Sequence, residues 1–132
     1  MRRSLAFAAI AGFAFCGNGQ TVINTDTVLS AAKSGRVEAR KIAGDSLVSS
    51  FIISIPGEIL PHKHPSHSEH VMVLSGEGRM LLGDSTFTVR RGDLIFIAQN
   101  TKHGVQRTGN ESLRVLSIQA PLFDGKDRVP VK

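Results

Sequence analysis

The sequence predicts an all-β fold, an antiparallel sandwich or barrel, in a single domain. Short apolar runs recur roughly every ten residues from position 46 onward, and clusters of Gly, Asp or Asn separate them. This is the pattern of short strands joined by turns. The chain has 132 residues, of which 41% are hydrophobic and 20% charged. That composition fits one globular core, and the length is too small for two domains.

Composition also excludes several kinds of protein. Cys16 is the single cysteine, so the chain has neither an internal disulfide framework nor a cysteine-based zinc site. The net charge is +5, but Arg2 and Arg3 supply two of those charges, and no long basic run follows them. The chain has no Tyr or Trp to stack on bases. We therefore expect no nucleic-acid partner.

Residues 1–19 have the layout of a secretory signal peptide. Arg2 and Arg3 are followed by an uncharged apolar run over residues 5–15, and the sequence then becomes small and polar. The run is too short for a stable membrane span. We expect a secreted or periplasmic protein whose N-terminal residue, measured on material from the native host, lies within 17–21. An intact Met1 would contradict this, and two alternatives stay open: lipid anchoring through Cys16, or a hydrophobic helix of the mature fold.

Residues 20–45 form an N-terminal segment of mixed character. A helical turn is expected over residues 28–33, with Asp26 or Thr27 as its N-cap and Gly35 just after its end.

Residues 46–120 contain the predicted strands. The apolar runs lie at residues 51–55, 71–74, 80–82, 87–89, 94–98 and 113–118. The runs at 71–74 and 94–98 are apolar on both faces, which indicates that the outer face of the sheet is also covered. The N-terminal segment or a second copy of the chain is the candidate cover, and we expect a homodimer. Residues 121–132 are predicted to be a C-terminal tail.

Histidine distribution is the most informative feature of the sequence. His62 and His64 are two residues apart, so in an extended segment they point to the same face. Glu69 shares a strand face with Val71 and Val73, so if these valines face the interior, Glu69 does too and His70 points away from it. Two imidazoles and a carboxylate that converge in this way make a ligand set for a divalent transition metal. Solvated loop histidines are the alternative interpretation.

Two stretches of the chain resemble the motifs of the cupin superfamily. Gly57, His62, His64, Glu69 and Gly76 follow the spacing of the first motif, except that four residues rather than five separate the first Gly from the first His. Residues 92–103 resemble the second motif in the register of its glycine and histidine. Ala98 and Asn100 replace its usual proline and glycine, and Arg107 replaces its usual asparagine.

The resemblance implies a jelly-roll barrel of six to ten strands over residues 46–120, with one divalent metal ion near its axis. Carried across by position, the metal ligands are His62, His64, Glu69 and His103. Mn, Fe, Ni, Zn and Cu all suit this set. A competing arrangement uses His62, His64, His67 and His103, with Glu69 orienting one of the imidazoles from outside the ligand set.

Two further residues are candidates for a catalytic role. His67 lies in the ligand loop and is either a general base or, as we expect, a solvent-facing side chain. Arg107 either projects into the barrel to hold an oxyanion or, as we expect, is a solvated residue at a strand end.

The resemblance leaves two functions open. The first is a small metal-dependent enzyme of the dioxygenase, lyase, isomerase or decarboxylase class that acts on an oxygenated small molecule. The second is a non-catalytic secreted module that binds a metal or a small ligand.

Overall fold

The computed structural model describes residues 21–28 and 35–132. Within them it has one short 3-10 helix and ten strands. These elements are the 3-10 helix Thr25–Thr27, β1 Glu38–Gly44, β2 Ser49–Ile55, β3 Glu58–Lys63, β4 Ser68–Ser75, β5 Glu77–Leu82, β6 Ser85–Arg90, β7 Leu94–Ile97, β8 His103–Arg107, β9 Leu113–Ala120 and β10 Val129–Pro130. Residues 1–20, with the predicted signal peptide, lie outside the described residues. No helix in the described part has the length and apolar character needed to cross a membrane.

The strands form two five-stranded antiparallel sheets. The first sheet has the order β1-β2-β9-β4-β7, and the second has the order β10-β3-β8-β5-β6. The hydrophobic core contains side chains from both sheets, namely Ile55, Val73, Met80, Val89, Ile97, Leu113 and Val115. The predicted all-β antiparallel fold is confirmed, and its strands form two sheets. Eight of the ten described strands, β2 to β9, lie within residues 46–120, where six to ten were expected.

All six predicted apolar runs coincide with strands, namely β2, β4, β5, β6, β7 and β9, and the run at residues 94–98 extends one residue beyond β7. Four strands were not predicted. β1 is charged and mostly exposed, β3 contains Pro61, β8 contains His103 and Gly104, and β10 has two residues. None of these four has the alternation of apolar and polar residues that identifies a strand in a sequence. Tertiary pairing therefore determines them.

The N-terminal segment crosses the outside of the first sheet. Arg114 lies on the opposite side of β9 from the core residue Leu113, and its guanidinium Nη2 donates to the backbone oxygens of Thr25 and Val28 at 2.6 and 2.9 Å. The 3-10 helix is capped by Asn24, whose side chain accepts from the backbone N–H of Asp26. The helical turn expected over residues 28–33 lies mostly outside the described residues, and Val28 itself is extended.

Close pairing of β3 with β8 places two of the predicted ligands side by side. His62 lies opposite His103 across this pair. A Cβ atom added at Gly104 would lie 2.9 Å from the backbone oxygen of Ile59 and 3.1 Å from the nitrogen of Pro61. Only glycine lets the two backbones approach this closely.

We predict that Gly104→Ala lowers the free energy of unfolding by about 1–3 kcal/mol, because the added methyl group meets backbone atoms that have no room to move. Denaturant unfolding of the metal-free protein measures the change. Gly109→Ala is the matched control, since its Cβ would meet no atom closer than 3.8 Å. Equal unfolding midpoints for Gly104→Ala and the wild type would contradict the prediction.

Candidate metal centre

Three imidazoles meet between the two sheets. His62 lies in β3, His64 follows that strand directly, and His103 begins β8. All three side chains are buried, and one ring nitrogen from each lies within 4.8 Å of the others. The predicted convergence of His62 and His64 is therefore present, and β8 adds the third imidazole.

Hydrogen bonds to backbone carbonyls fix the orientation of each of these rings. The Nδ1–H of His62 donates to the oxygen of Leu60, and that of His103 donates to the oxygen of Thr101, both at 2.9 Å. The Nδ1–H of His64 donates to the backbone oxygen of Asp127. A carbonyl oxygen only accepts, so Nδ1 must carry the hydrogen in each ring. Nε2 is then the nitrogen with a free lone pair, as a metal ligand requires.

Burial keeps two of these imidazoles neutral. Desolvation lowers the pKa of His62 from 6.5 to about 4, although the bond to Leu60 opposes the shift. Desolvation also lowers the pKa of His64, against the opposing bond to Asp127. Because a protonated imidazole has no lone pair to donate, these lowered pKa values favour metal binding at neutral pH.

Glu69 supplies a buried carboxylate beside the imidazoles. Its Oε1 accepts from the hydroxyl of Ser117 at 2.5 Å and from the amide of Gln119 at 3.5 Å. Its Oε2 lies 3.7 Å from Nε2 of His64 and 3.5 Å from Nε2 of His103. Burial raises the pKa of Glu69, but His103 when protonated, the hydroxyl of Ser117 and His64 when protonated outweigh burial and lower it. The carboxylate is therefore anionic.

The strand parity inferred from the sequence is confirmed. Glu69 is 6% exposed and faces the interior. His70 is exposed on the outside of the sheet, where its ring lies 5.0 Å from that of Phe96.

The donor set fits a divalent transition metal. It consists of imidazole nitrogens and a carboxylate oxygen, the combination that Mn, Fe, Ni, Zn and Cu accept. Nε2 of His103 is buried and has no hydrogen-bond partner in the described part of the chain. A buried carboxylate among imidazole rings also favours a cation nearby. The assignment of these four residues as ligands remains a prediction.

The expectation that His67 faces solvent is wrong. His67 is 3% exposed, and its Nδ1 lies 2.7 Å from Oδ2 of Asp127. Its ring stacks on that of His64 with centroids 4.1 Å apart. Burial arises because residues near the C-terminus fold back over the ligand loop. His67 belongs to a second group of possible metal donors, with His64 and Asp127, rather than to the group of His62 and His103.

Arg107 does not reach the imidazoles. Its Nη1 donates to the backbone oxygen of Gly109 at 2.5 Å, and its side chain does not line the cavity described below. The side chain is half-buried at the end of β8, where it stabilises a turn. It is therefore not placed to bind an oxyanion inside the barrel.

A cavity of about 230 Å³ opens beside the imidazoles. Most of its wall is aliphatic and comes from both sheets, including Ile53, Val71, Met80 and Val115. Its polar lining consists of His62, His64, Glu69, His103, Gln119 and Arg128. A small molecule with an apolar body and a polar group near the imidazoles fits these walls.

The C-terminal residues contribute to the site, which the sequence did not indicate. Phe123 lines the cavity and packs against His64 and His67, with ring centroids 5.8 and 5.4 Å apart. Asp127 and Arg128 contact the histidines. No local pattern marks these residues, because their partners lie about sixty residues earlier in the chain.

Known proteins share parts of this sequence and its fold. The family profile described as cupin domain matches residues 51–119, just over half of the chain. An uncharacterised protein of Aquifex aeolicus is 31% identical over 96 residues, which cover 73% of this chain and 78% of that protein. An uncharacterised protein of Methanocaldococcus jannaschii is 33% identical over 76 residues, 58% of this chain and 61% of that protein. The chain therefore spans less than two thirds of the length of the Methanocaldococcus jannaschii protein.

A solved structure also resembles the chain. A Klebsiella pneumoniae protein with a double-stranded β-helix domain matches it with a TM-score of 0.73 and 20% identity, over 86% of this chain and 98% of that one. At this identity the likeness shows the fold.

We predict that Glu69→Gln lowers the affinity for Zn²⁺ by about 10–100-fold, because the amide keeps the size of the side chain but loses its charge. His70→Gln is the matched control and should leave the affinity unchanged, since His70 faces outward. Competition with a chromophoric chelator measures both. The opposite pattern, in which His67→Gln loses zinc and Glu69→Gln retains it, would support the competing ligand set.

Proposed function

Because the chain belongs to the cupin domain family, we propose that it is a metal-dependent enzyme of the dioxygenase, lyase, isomerase or decarboxylase class. Its substrate is a small oxygenated molecule, and the metal ligands are His62, His64, Glu69 and His103. The carrying observation is that three buried rings, each with Nδ1 bound to a backbone carbonyl, bring one ring nitrogen each within 4.8 Å of the others at the side of an apolar cavity.

The protein's own groups have separate tasks in this proposal. Ser117 and Gln119 hold Oε1 of Glu69, so that Oε2 faces the imidazoles. The aliphatic walls exclude water and orient the apolar part of the substrate. His62, His64, Glu69 and His103 would hold a divalent metal, which would supply Lewis-acid chemistry toward an oxygen of the substrate.

A second candidate is a non-catalytic module that binds a metal or a small ligand. One observation favours it: among the described residues that line the cavity, no carboxylate or imidazole lies outside the proposed ligand set. A reaction that needs a separate general base would therefore lack one.

We predict that removing the metal abolishes activity and leaves the fold intact, because the apolar core between the sheets is sufficient without it. The chelated protein should keep a cooperative thermal transition, as should His62→Ala, which should bind less metal. Reconstitution with Mn²⁺, Fe²⁺, Ni²⁺, Zn²⁺ or Cu²⁺, followed by a screen of small oxygenated molecules, tests turnover.

Saturable binding without turnover for any metal would favour the binding module over the enzyme. Unfolding of the chelated protein would make the metal structural and would contradict the proposal.

We also propose a homodimer formed through the outer face of the first sheet. Met72, Leu94 and Phe96 lie there on β4 and β7 and are 38%, 60% and 55% exposed. Exposed apolar side chains that lie next to one another mark a protein interface more often than a sheet face that stays in contact with solvent. Secretion or export to the periplasm remains part of the proposal.

Leu94→Glu should convert the dimer to a monomer, because it places a charge in the apolar interface. Light scattering at micromolar concentration measures the mass. Leu60→Glu, at an exposed leucine of the other sheet, is the control and should stay dimeric. A monomeric wild type would refute the homodimer.

A further inference from the structure

Residues 121–131, here called the C-terminal strap, close one side of the candidate metal centre. β10 pairs with β3, so that Pro130 lies opposite His62. The backbone N–H of Val131 donates to the oxygen of Pro61 at 3.0 Å, and that of Phe123 donates to the hydroxyl of Ser49 at 3.1 Å. The strap is therefore fixed to both sheets.

Asp127 joins the strap to the ligand loop through three contacts. Its backbone oxygen accepts from Nδ1 of His64. Its Oδ2 accepts from the backbone N–H of Ser66 at 2.9 Å and lies 2.7 Å from Nδ1 of His67. The contacts of the side chain hold the backbone oxygen in place, and that oxygen orients the ring of His64.

Arg128, the next residue, lines the cavity on the same side. One guanidinium nitrogen lies 3.5 Å from Nδ1 of His62. In the described part of the chain, no carboxylate lies within 4.0 Å of this guanidinium. It is also the one Lys or Arg among the described residues of the cavity wall, which is otherwise apolar apart from the ligand set and Gln119.

We propose that the strap completes the centre through these two adjacent residues: Asp127 positions His64 for the metal, and Arg128 binds the carboxylate of a small aliphatic acid. The inference rests on the proposed function and adds a substrate class to it. A guanidinium presents paired N–H donors that match the two oxygens of a carboxylate, and the aliphatic wall matches a hydrocarbon chain. The cavity of about 230 Å³ limits that chain to a few carbons.

Dissociation of Co²⁺ tests the role of Asp127. Asp127→Ala should release Co²⁺ to excess chelator about 10–100-fold faster than the wild type and should change the visible absorption of the bound ion, because the ring of His64 is no longer fixed. Asp127→Asn keeps an oxygen that accepts the bonds from Ser66 and His67, so it should release Co²⁺ at nearly the wild-type rate and show nearly the wild-type absorption. Asp124→Asn is the control, since Asp124 only caps a turn of the strap.

Ligand binding tests the role of Arg128. The Co²⁺-loaded protein is titrated with isovalerate and with isovaleramide, a neutral molecule of the same shape, and the cobalt absorption is followed. Arg128→Gln should weaken isovalerate about tenfold or more, since a hydrogen bond to a charged group is lost, and should leave isovaleramide and Co²⁺ affinity unchanged. Lys126→Gln removes a positive charge from the same strap and should leave isovalerate binding unchanged.

These outcomes distinguish a failure of the metal centre from a failure of the roles proposed for Asp127 and Arg128. A wild type that binds no Co²⁺ would overturn the metal centre and the strap proposal together. Wild-type Co²⁺ binding with identical dissociation and absorption in Asp127→Ala would overturn the positioning role alone. Equal isovalerate affinity in the wild type and Arg128→Gln, or no binding of isovalerate, would overturn the carboxylate assignment and leave the metal centre standing.

Discussion

The site depends on the hydrogen bonds that three buried imidazoles make with backbone carbonyls. Each bond fixes the Nδ1–H tautomer and the plane of one ring, so that Nε2 keeps the free lone pair. His62, His64 and His103 each bring one ring nitrogen within 4.8 Å of the others. Two of these carbonyls lie two residues before their own histidine, and β3 pairs with β8 at His62 and His103. The close approach of these strands requires the absence of a side chain at Gly104. The geometry of the centre is therefore built into the backbone of the second sheet, with one essential contribution from the C-terminal strap.

The first sheet supplies the charge. Glu69 reaches the centre from β4, and its neighbours Ser117 and Gln119 come from β9, the adjacent strand of the same sheet. The two sheets thus have different roles: one presents imidazole nitrogen donors, and the other presents an anionic oxygen that is held by hydrogen bonds. A buried anion beside imidazoles attracts a cation more strongly than it would in water, since little solvent screens the charge. The aliphatic cavity behind the centre maintains this low polarity.

The sequence predicted the parts of this arrangement that depend on short-range pattern. Strand parity placed Glu69 inside and His70 outside because Val71 and Val73 identified the buried face, and the spacing of His62 and His64 placed both on one side of an extended segment. It did not predict β3 or β8, where polar residues and Pro61 replace the usual alternation. It was wrong about His67, because Asp127 covers that ring from a position sixty residues later. Contacts between residues far apart in the sequence, such as those of Asp127 and Arg128, leave no periodic signal in it.

The tautomers of the five histidines test the central claim most directly. Long-range ¹H–¹⁵N NMR spectra of the metal-free protein distinguish the two ring nitrogens, and single His→Gln variants assign the signals. We predict that His62, His64 and His103 all carry their hydrogen on Nδ1, and that Zn²⁺ shifts their Nε2 resonances while those of exposed His70 stay unchanged. Hydrogen on Nε2 in any of these three rings, or zinc-induced shifts confined to His67, would contradict it.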